Sequence, residues 1–291
     1  MLEPGTLRAA LRERMRHALA SGALAPIETE EDTLEDAGVR FAVRRVSSLA
    51  HKAAQASGAS ARTPESGGRG NAFPVEPGLV VAEISDTHIA LLNKYPVLSE
   101  HLLLVTRRYL PQEALLDRAD FDALAACMRE YDALGFYNGG AAAGASQAHK
   151  HLQLVSLPLA PDRTVPMAVL FDALARRPGV ARVPGLPFRH AFSWDDAGSL
   201  ASGDRLLKTY LELLAAAGIS GVARDGALEQ SAPYNLLVTR AWMLLVSRSR
   251  ERFEGISINA LGFAGSLFVK DALELARVRE AGPMAILAAV A

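Results

Sequence analysis

"FYNGGAAAGASQAHKHLQ", Phe136 to Gln153, is the stretch on which the reading of this chain turns. A short strand, Phe136–Asn138, leads into a run of small residues. A second strand, "HKHLQLVSL", follows over His149–Leu157. Alternate side chains of a strand share a face, so His149, His151 and Gln153 point one way. Lys150, Leu152 and Leu154 point the other way, which makes Lys150 a poor candidate for touching whatever the histidines touch. Lys150→Met is accordingly expected to keep activity within about tenfold, or ~1.4 kcal/mol.

The glycines allow positive φ and let a ligand approach the backbone closely. Successive N–H groups in such a loop can form an anion-binding concavity, and Ser146 adds a hydroxyl. An imidazole titrates near ~6.5, so much of it is neutral at pH 7 and able to attack as a nucleophile. Gln153 can donate to a phosphoryl oxygen without adding charge. Together these residues read as a phosphate cradle leading into a strand that presents imidazoles. Two blander readings stand beside it. The histidines can be structural, or they can share a metal at i, i+2 spacing with a further ligand such as His88 or His101. No spacing nominates those ligands, and no dedicated protein metal site is predicted.

Outward from the stretch, three strand-like runs precede it: Leu79–Ile84, His88–Asn93 and His101–Thr106. His101 opens an apolar strand and reads as a satisfied core or edge histidine. A helix is expected over Asp120–Leu134, with Phe121, Leu124, Met128 and Tyr131 on one face, Asp120 capping its start and Gly135 ending it. Near the N-terminus, Leu7, Leu11 and Met15 recur at helical spacing. Downstream, "PLAPDRTVP" reads as a linker with a boundary near Pro161. Domains are thus expected at 1–160 and 161–291. The second half holds a helix around Asp204–Ala217, the strands "YNLLVT" and "WMLLVS", and helical segments from about Leu261. Strand pairs followed by helices imply an α+β fold with an antiparallel sheet in each half, the C-terminal part reading as a degenerate repeat of the first. Trp242 and the arginines from Arg248 to Arg252 read as packing and a solvated turn. "AAQASGASARTPESGGRG", 53–70, is too small and polar to offset ordering entropy and is expected to be a mobile loop.

Composition sets outer limits. The chain has 291 residues, half of them hydrophobic, with 31 basic and 32 acidic side chains and a net charge of −1. No basic excess points to nucleic acid or a membrane surface. The single cysteine, Cys127, forms no internal disulfide, which fits a reducing compartment, and it reads as a buried small hydrophobe. Arginines interrupt each apolar run near the N-terminus, so no signal-peptide core is read there. A cytoplasmic protein is expected.

The Phe136–Gln153 motif resembles the histidine-triad superfamily, in the branch whose last triad histidine is glutamine. That branch contains the galactose-1-phosphate uridylyltransferases and the ATP adenylyltransferases, also called diadenosine tetraphosphate phosphorylases. The adenylyltransferases are the closer likeness. Uridylyltransferases carry proline where this chain has Lys150, and "LLNKYPVLSEHLLLVTRRYLPQEALL" (Leu91–Leu116) and "PYNLLVTRAWMLLVSRS" (from Pro233) also look like the adenylyltransferase pattern. The resemblance implies that His151 is adenylylated, that Gln153 bonds the phosphoryl group, and that His149 orients the other ring nitrogen of the nucleophile. It implies a phosphate-contacting loop of Asn138, Gly144, Ser146 and Gln147. Asn93 and Lys94 match a nucleotide-contacting strand end, and Lys52 a basic residue for the polyphosphate. The reaction implied is phosphorolysis of diadenosine tetraphosphate to ATP and ADP, with a divalent cation, magnesium or manganese, carried on the polyphosphate. The substrates implied are small molecules: diadenosine tetraphosphate, ATP, ADP and phosphate. The alternatives are a hexose-1-phosphate uridylyltransferase and a non-enzymatic nucleotide- or metal-binding module.

Overall fold

The computed structural model describes residues 2–46, 73, 75–195 and 202–291. Lys52 and the expected loop 53–70 lie outside the described residues.

Helix α1 (Leu7–Ser21) is followed by β1 (Thr29–Asp36), β2 (Val39–Val46), β3 (Val80–Glu83), β4 (His88–Leu92) and β5 (Leu102–Thr106). Next come α2 (Arg118–Glu130), β6 (Ala133–Gly139) and β7 (His151–Ser156). The second half carries β8 (Val180–Ala181), β9 (His190–Trp194), α3 (Gly203–Ala217), the hairpin β10 (Gly221–Arg224) and β11 (Ala227–Gln230), then β12 (Tyr234–Val238) and β13 (Trp242–Ser247). Short strands β14 (Arg252–Phe253) and β15 (Ile256–Ser257), α4 (Ala260–Phe263), β16 (Ser266–Val269), α5 (Ala272–Ala281) and α6 (Pro283–Val290) end the chain.

The two expected sheets are one. Nine strands run in the order β3-β4-β5-β7-β6-β12-β13-β9-β8, and each pairing between them is antiparallel. The halves of the chain meet where β6 pairs with β12, with Asn138 opposite Asn235 and Tyr137 opposite Leu236. Alternation then sorts the side chains. Leu102, Leu104, Leu152, Leu154, Tyr137 and Leu236 bury one face beneath α1, α2 and α3. On the other face, Phe136, Leu237, Leu244 and Val246 pack against the C-terminal helices, while Ile89, Leu91, Leu103 and Val105 form a separate apolar patch under Phe73 and Val80. Between these two patches the same face turns polar, with His151 opposite Val105 and Gln153 opposite Leu103 and Phe136.

Three local expectations are corrected. Asp117, not Asp120, caps α2; its carboxylate accepts from the N–H groups of Ala119 and Asp120, and Asp120 returns the bond to complete a capping box. The helix ends at Glu130, and Gly135 lies within β6, where a Cβ would meet Leu124 at 2.8 Å. Its role is close packing of helix on strand. Strand β7 begins at His151 rather than His149. The hairpin of β1 and β2 carries no clear sequence signal, because "TEEDTLED" lacks an apolar face. Strand β1 is tied to β2 by the ion pair Glu31–Arg44 at 2.6 Å and to α5 by Asp32–Arg279 at 3.0 Å.

Candidate active site

His151 sits at the head of β7 with 3% of its surface exposed. Its Nδ1 lies 2.8 Å from the carbonyl of His149. A carbonyl only accepts, so Nδ1 carries the proton and Nε2 keeps its lone pair. Burial lowers the pKa of the ring to about 4, the bond to the His149 carbonyl offsetting only part of that effect, and the ring is neutral at pH 7. An unprotonated Nε2 on a fixed ring is the form a nucleophilic histidine needs.

The imidazole of His149 does something other than the resemblance implied. Its Nδ1 accepts from the N–H of Phe73 at 2.7 Å, and its Nε2 donates to the Thr106 carbonyl at 2.7 Å. Neither nitrogen is bonded to the His151 ring; the backbone carbonyl of His149 is what orients that ring. Both nitrogens of this imidazole thus have partners within the protein. The Phe73 ring packs 5.8 Å from His151 and 6.0 Å from His149, centroid to centroid.

Gln153 is set by a relay that alternation within one strand does not reveal. Nδ2 of Asn93 is 3.2 Å from His101 Nδ1, and His101 Nε2 is 2.9 Å from Gln153 Oε1. Burial lowers the pKa of His101 to about 4, so the ring is neutral and has one donor. The Asn93 amide must donate to Nδ1, because its own oxygen already accepts from the N–H of Tyr95 at 3.2 Å. Nε2 of His101 therefore donates to Gln153, and the Gln153 NH2 is left for the site. His101 is the satisfied, buried histidine expected from the sequence; its partner is revealed only by the pairing of Leu103 with Gln153 across strands. His101→Phe should fill the same space and free the Gln153 amide to turn over. The expected result is a loss of kcat of about 10- to 30-fold, or ~1.4–2 kcal/mol, with the fold intact by circular dichroism. A kcat within twofold of the parent would show that the relay does not matter.

Asn138 is fixed in the same manner, by the second half of the chain. Its Oδ1 accepts from Asn235 Nδ2 at 2.8 Å and from the N–H of Ala260 at 2.9 Å. Nδ2 of Asn138 has no partner among the described residues. Arg248, read from sequence as a solvated turn, is instead buried. It donates to Asn235 Oδ1 at 2.5 Å, to the Ala143 carbonyl at 3.2 Å and to the Ile258 carbonyl at 3.0 Å. Burial lowers its pKa to about 10, leaving it charged at neutral pH. Gly144, at φ +90, lies against Asn259, and a Cβ there would meet the Asn259 backbone and the Ile258 carbonyl at 2.9 Å. The small-residue loop is thus clamped by residues 258–260. Past the clamp, Ser146 and Gln147 make no side-chain hydrogen bond among the described residues, with Ser146 exposed and Gln147 half-buried. Lys94 is not brought to this cluster; its ammonium is held by Glu76 at 2.6 Å, which raises its pKa.

Known proteins share both the sequence pattern and the fold of this chain. Residues 1–173 match the Ap4A phosphorylase N-terminal domain, and residues 184–291 match the ATP adenylyltransferase C-terminal domain. The chain belongs to the Ap4A phosphorylase/ATP adenylyltransferase family. It is 30% identical over 222 residues to diadenosine 5',5'''-P1,P4-tetraphosphate phosphorylase 2 of Saccharomyces cerevisiae; the match covers 65% of this chain and spans 64% of that protein, just under two thirds of its length. It is 26% identical over 300 residues to Protein APA1 of the same yeast, across 95% of this chain and 91% of that one. The fold matches the crystal structure of yeast Ap4A phosphorylase Apa2 at 24% identity with a TM-score of 0.76, covering 99% of this chain and 94% of that one. Against Apa2 in complex with Ap4A the TM-score is 0.78 at 23% identity, over 99% and 97% of the two chains. Among the described residues, no helix is long and apolar enough to cross a membrane.

Proposed function

We propose that this chain cleaves diadenosine tetraphosphate by phosphorolysis, with His151 as the covalent nucleophile. The observation that carries the reading is the fixed, neutral imidazole of His151, with Nδ1–H on the His149 carbonyl and Nε2 unprotonated. In the first displacement, Nε2 bonds to an α-phosphorus and the bond from that phosphorus to its bridging oxygen breaks. ATP leaves with the electron pair of that bond, and AMP stays on the ring. In the second, an oxygen of inorganic phosphate attacks the same phosphorus, the N–P bond breaks, and ADP leaves. Dividing one displacement into two lets a single nucleophile serve both donor and acceptor.

The amide NH2 groups of Asn138 and Gln153 would meet the negative charge that spreads over the phosphoryl oxygens, because both carbonyl ends are already engaged. Ser146 and the loop N–H groups would hold the neighbouring phosphates. The apolar patch of Ile89, Leu91, Leu103 and Val105 beside His151 offers a floor for a base, with Phe73 over it. A divalent cation, magnesium or manganese, is assigned to the polyphosphate, where it would neutralise the departing ATP. A cytoplasmic setting belongs to the same proposal; it is supported by a sole cysteine that is buried in α2.

The test is the acceptor. Multiple turnovers should require inorganic phosphate and yield ATP and ADP. In oxygen-18 water the products should carry no label, because the new bridging oxygen comes from phosphate. AMP bearing water-derived oxygen, formed at a rate indifferent to phosphate, would make the protein a hydrolase instead.

A further inference from the structure

Strands β6 and β7 pair from Ala133–Ser156 to Phe136–Gln153, and there the ladder stops. The next residues on the same face are Asn138 and His151, the two on which the chemistry depends. Their backbones are not bonded to each other. The side chain of Gln112 lies between them. Its Oε1 accepts from the N–H of His151 at 2.9 Å, and its Nε2 donates to the Asn138 carbonyl at 2.9 Å and to the His151 carbonyl at 3.2 Å. The main chain of Gln112 is engaged as well, its N–H on the Ala148 carbonyl at 2.8 Å and its carbonyl accepting from the Tyr137 hydroxyl. Only 1% of the residue is exposed.

This is a costly way to satisfy three backbone groups. Ordering a glutamine side chain costs rotamer freedom, and a continued ladder would need no side chain. What the wedge does is set a gap. An amide thickness now separates the strand that carries Asn138 from the one that carries His151. The segment holding Gln112 is itself anchored to the β10–β11 hairpin, by Leu115 N–H on the Leu228 carbonyl at 2.8 Å and Gln230 N–H on the Glu113 carbonyl at 2.9 Å.

We infer that Gln112 is a positioning residue: its amide fixes the spacing between the His151 nucleophile and the Asn138 donor, and so acts on the phosphoryl-transfer step rather than on nucleotide binding. The reaction is sensitive to such spacing, because an in-line attack needs both groups placed about one phosphorus at once. The inference rests on the assignment of His151 as the nucleophile.

The test uses the full chain and the first half-reaction: adenylylation by diadenosine tetraphosphate with magnesium, without added phosphate, measured in a single turnover. Gln112→Met keeps the volume and removes all three bonds. Its adenylylation rate should fall at least 100-fold with the dinucleotide concentration at half-maximal rate changed less than threefold. Gln112→Glu gives a signature that mere support of the fold would not. A buried carboxylate can accept from the His151 N–H but faces two carbonyls, and burial raises its pKa. Taking up a proton restores one donor. The ratio of this variant's rate to the parent's should therefore rise at least fivefold as pH falls from 8.5 to 6. A ratio that stays constant with pH overturns the inference. So does Gln112→Met at near-parent rate, a loss that falls wholly on binding, or failure of both variants to fold. If the parent itself forms no adenylyl-histidine, the nucleophile assignment fails first and this inference falls with it. The comparison of variant with parent therefore tests Gln112 separately.

Discussion

His151→Ala is expected to lower kcat by at least about 10⁴-fold while the dinucleotide still binds, because the substitution removes the atom that forms the covalent bond. His149→Ala should be far milder, about tenfold. The structural reason is specific. The part of His149 that orients the nucleophile is its backbone carbonyl, 2.8 Å from His151 Nδ1, and alanine keeps that carbonyl. What alanine loses is the ring's hold on the Phe73 N–H and the Thr106 carbonyl. The acid limb of the reaction follows from the same ring. With the His151 pKa lowered by burial to about 4, adenylylation should be flat from pH 6 to 8 and fail only as the pH nears 4, where Nε2 takes up a proton. The measurements are kcat, equilibrium affinity and trapped adenylyl-enzyme for each variant. Equal collapse of binding and rate in both would remove the distinction between nucleophile and orienting group.

Much of this site can be read from one strand. Period-two alternation over His149–Gln153 separates the face that carries the imidazoles from the face that carries Lys150, and the structure keeps that division. The glycine run reads directly as a loop of close approach. What sequence reading misses is whatever depends on a partner far along the chain. His101 acts on Gln153 from 52 positions away. Gln112 bonds residues 26 and 39 positions downstream. Arg248 looks like one member of an arginine-rich turn, yet it is buried and fastens β12 to the Ala143 carbonyl. Each is a polar residue beside an apolar strand, and local pattern does not say which such residues face solvent and which close a buried network. The union of the two expected sheets is missed for the same reason. The pairing of Tyr234 with Gly139 spans most of a hundred residues and leaves no local periodicity.

Lys150 is where correct alternation leads to an incomplete expectation. Its side chain does turn away from the histidines, but into a buried cluster. Nζ lies 2.5 Å from Asp120 and 2.8 Å from the Leu115 carbonyl, and Asp120 also holds His88 Nε2 at 3.0 Å. Lys150 and Asp120 are each 1% exposed. Burial alone would push the Asp120 carboxyl up. The His88 bond, the charge and bond of Lys150 and the Asp117 N–H outweigh burial and hold it below the usual range. Lys150→Met should then keep activity per folded molecule within about tenfold yet cost the fold about 3–5 kcal/mol, the usual penalty for stranding one member of a buried pair. The pH dependence fixes the sign. In the parent the Asp120 pKa is depressed, so its contribution is present above the unfolded value of ~3.9 and is lost as pH falls through the folded one. In Lys150→Met the balance tips to burial, the folded carboxyl rises above its unfolded value, and the folded state binds the extra proton. The deficit should therefore be largest near pH 7.5 and shrink toward pH 5. Urea denaturation of both proteins at the two pH values measures it, and Asp120→Asn in the Lys150→Met background should recover part of the loss. A deficit below about 1 kcal/mol at pH 7.5, or one that grows on acidification, would mean that the pair does not support the strand that carries His151.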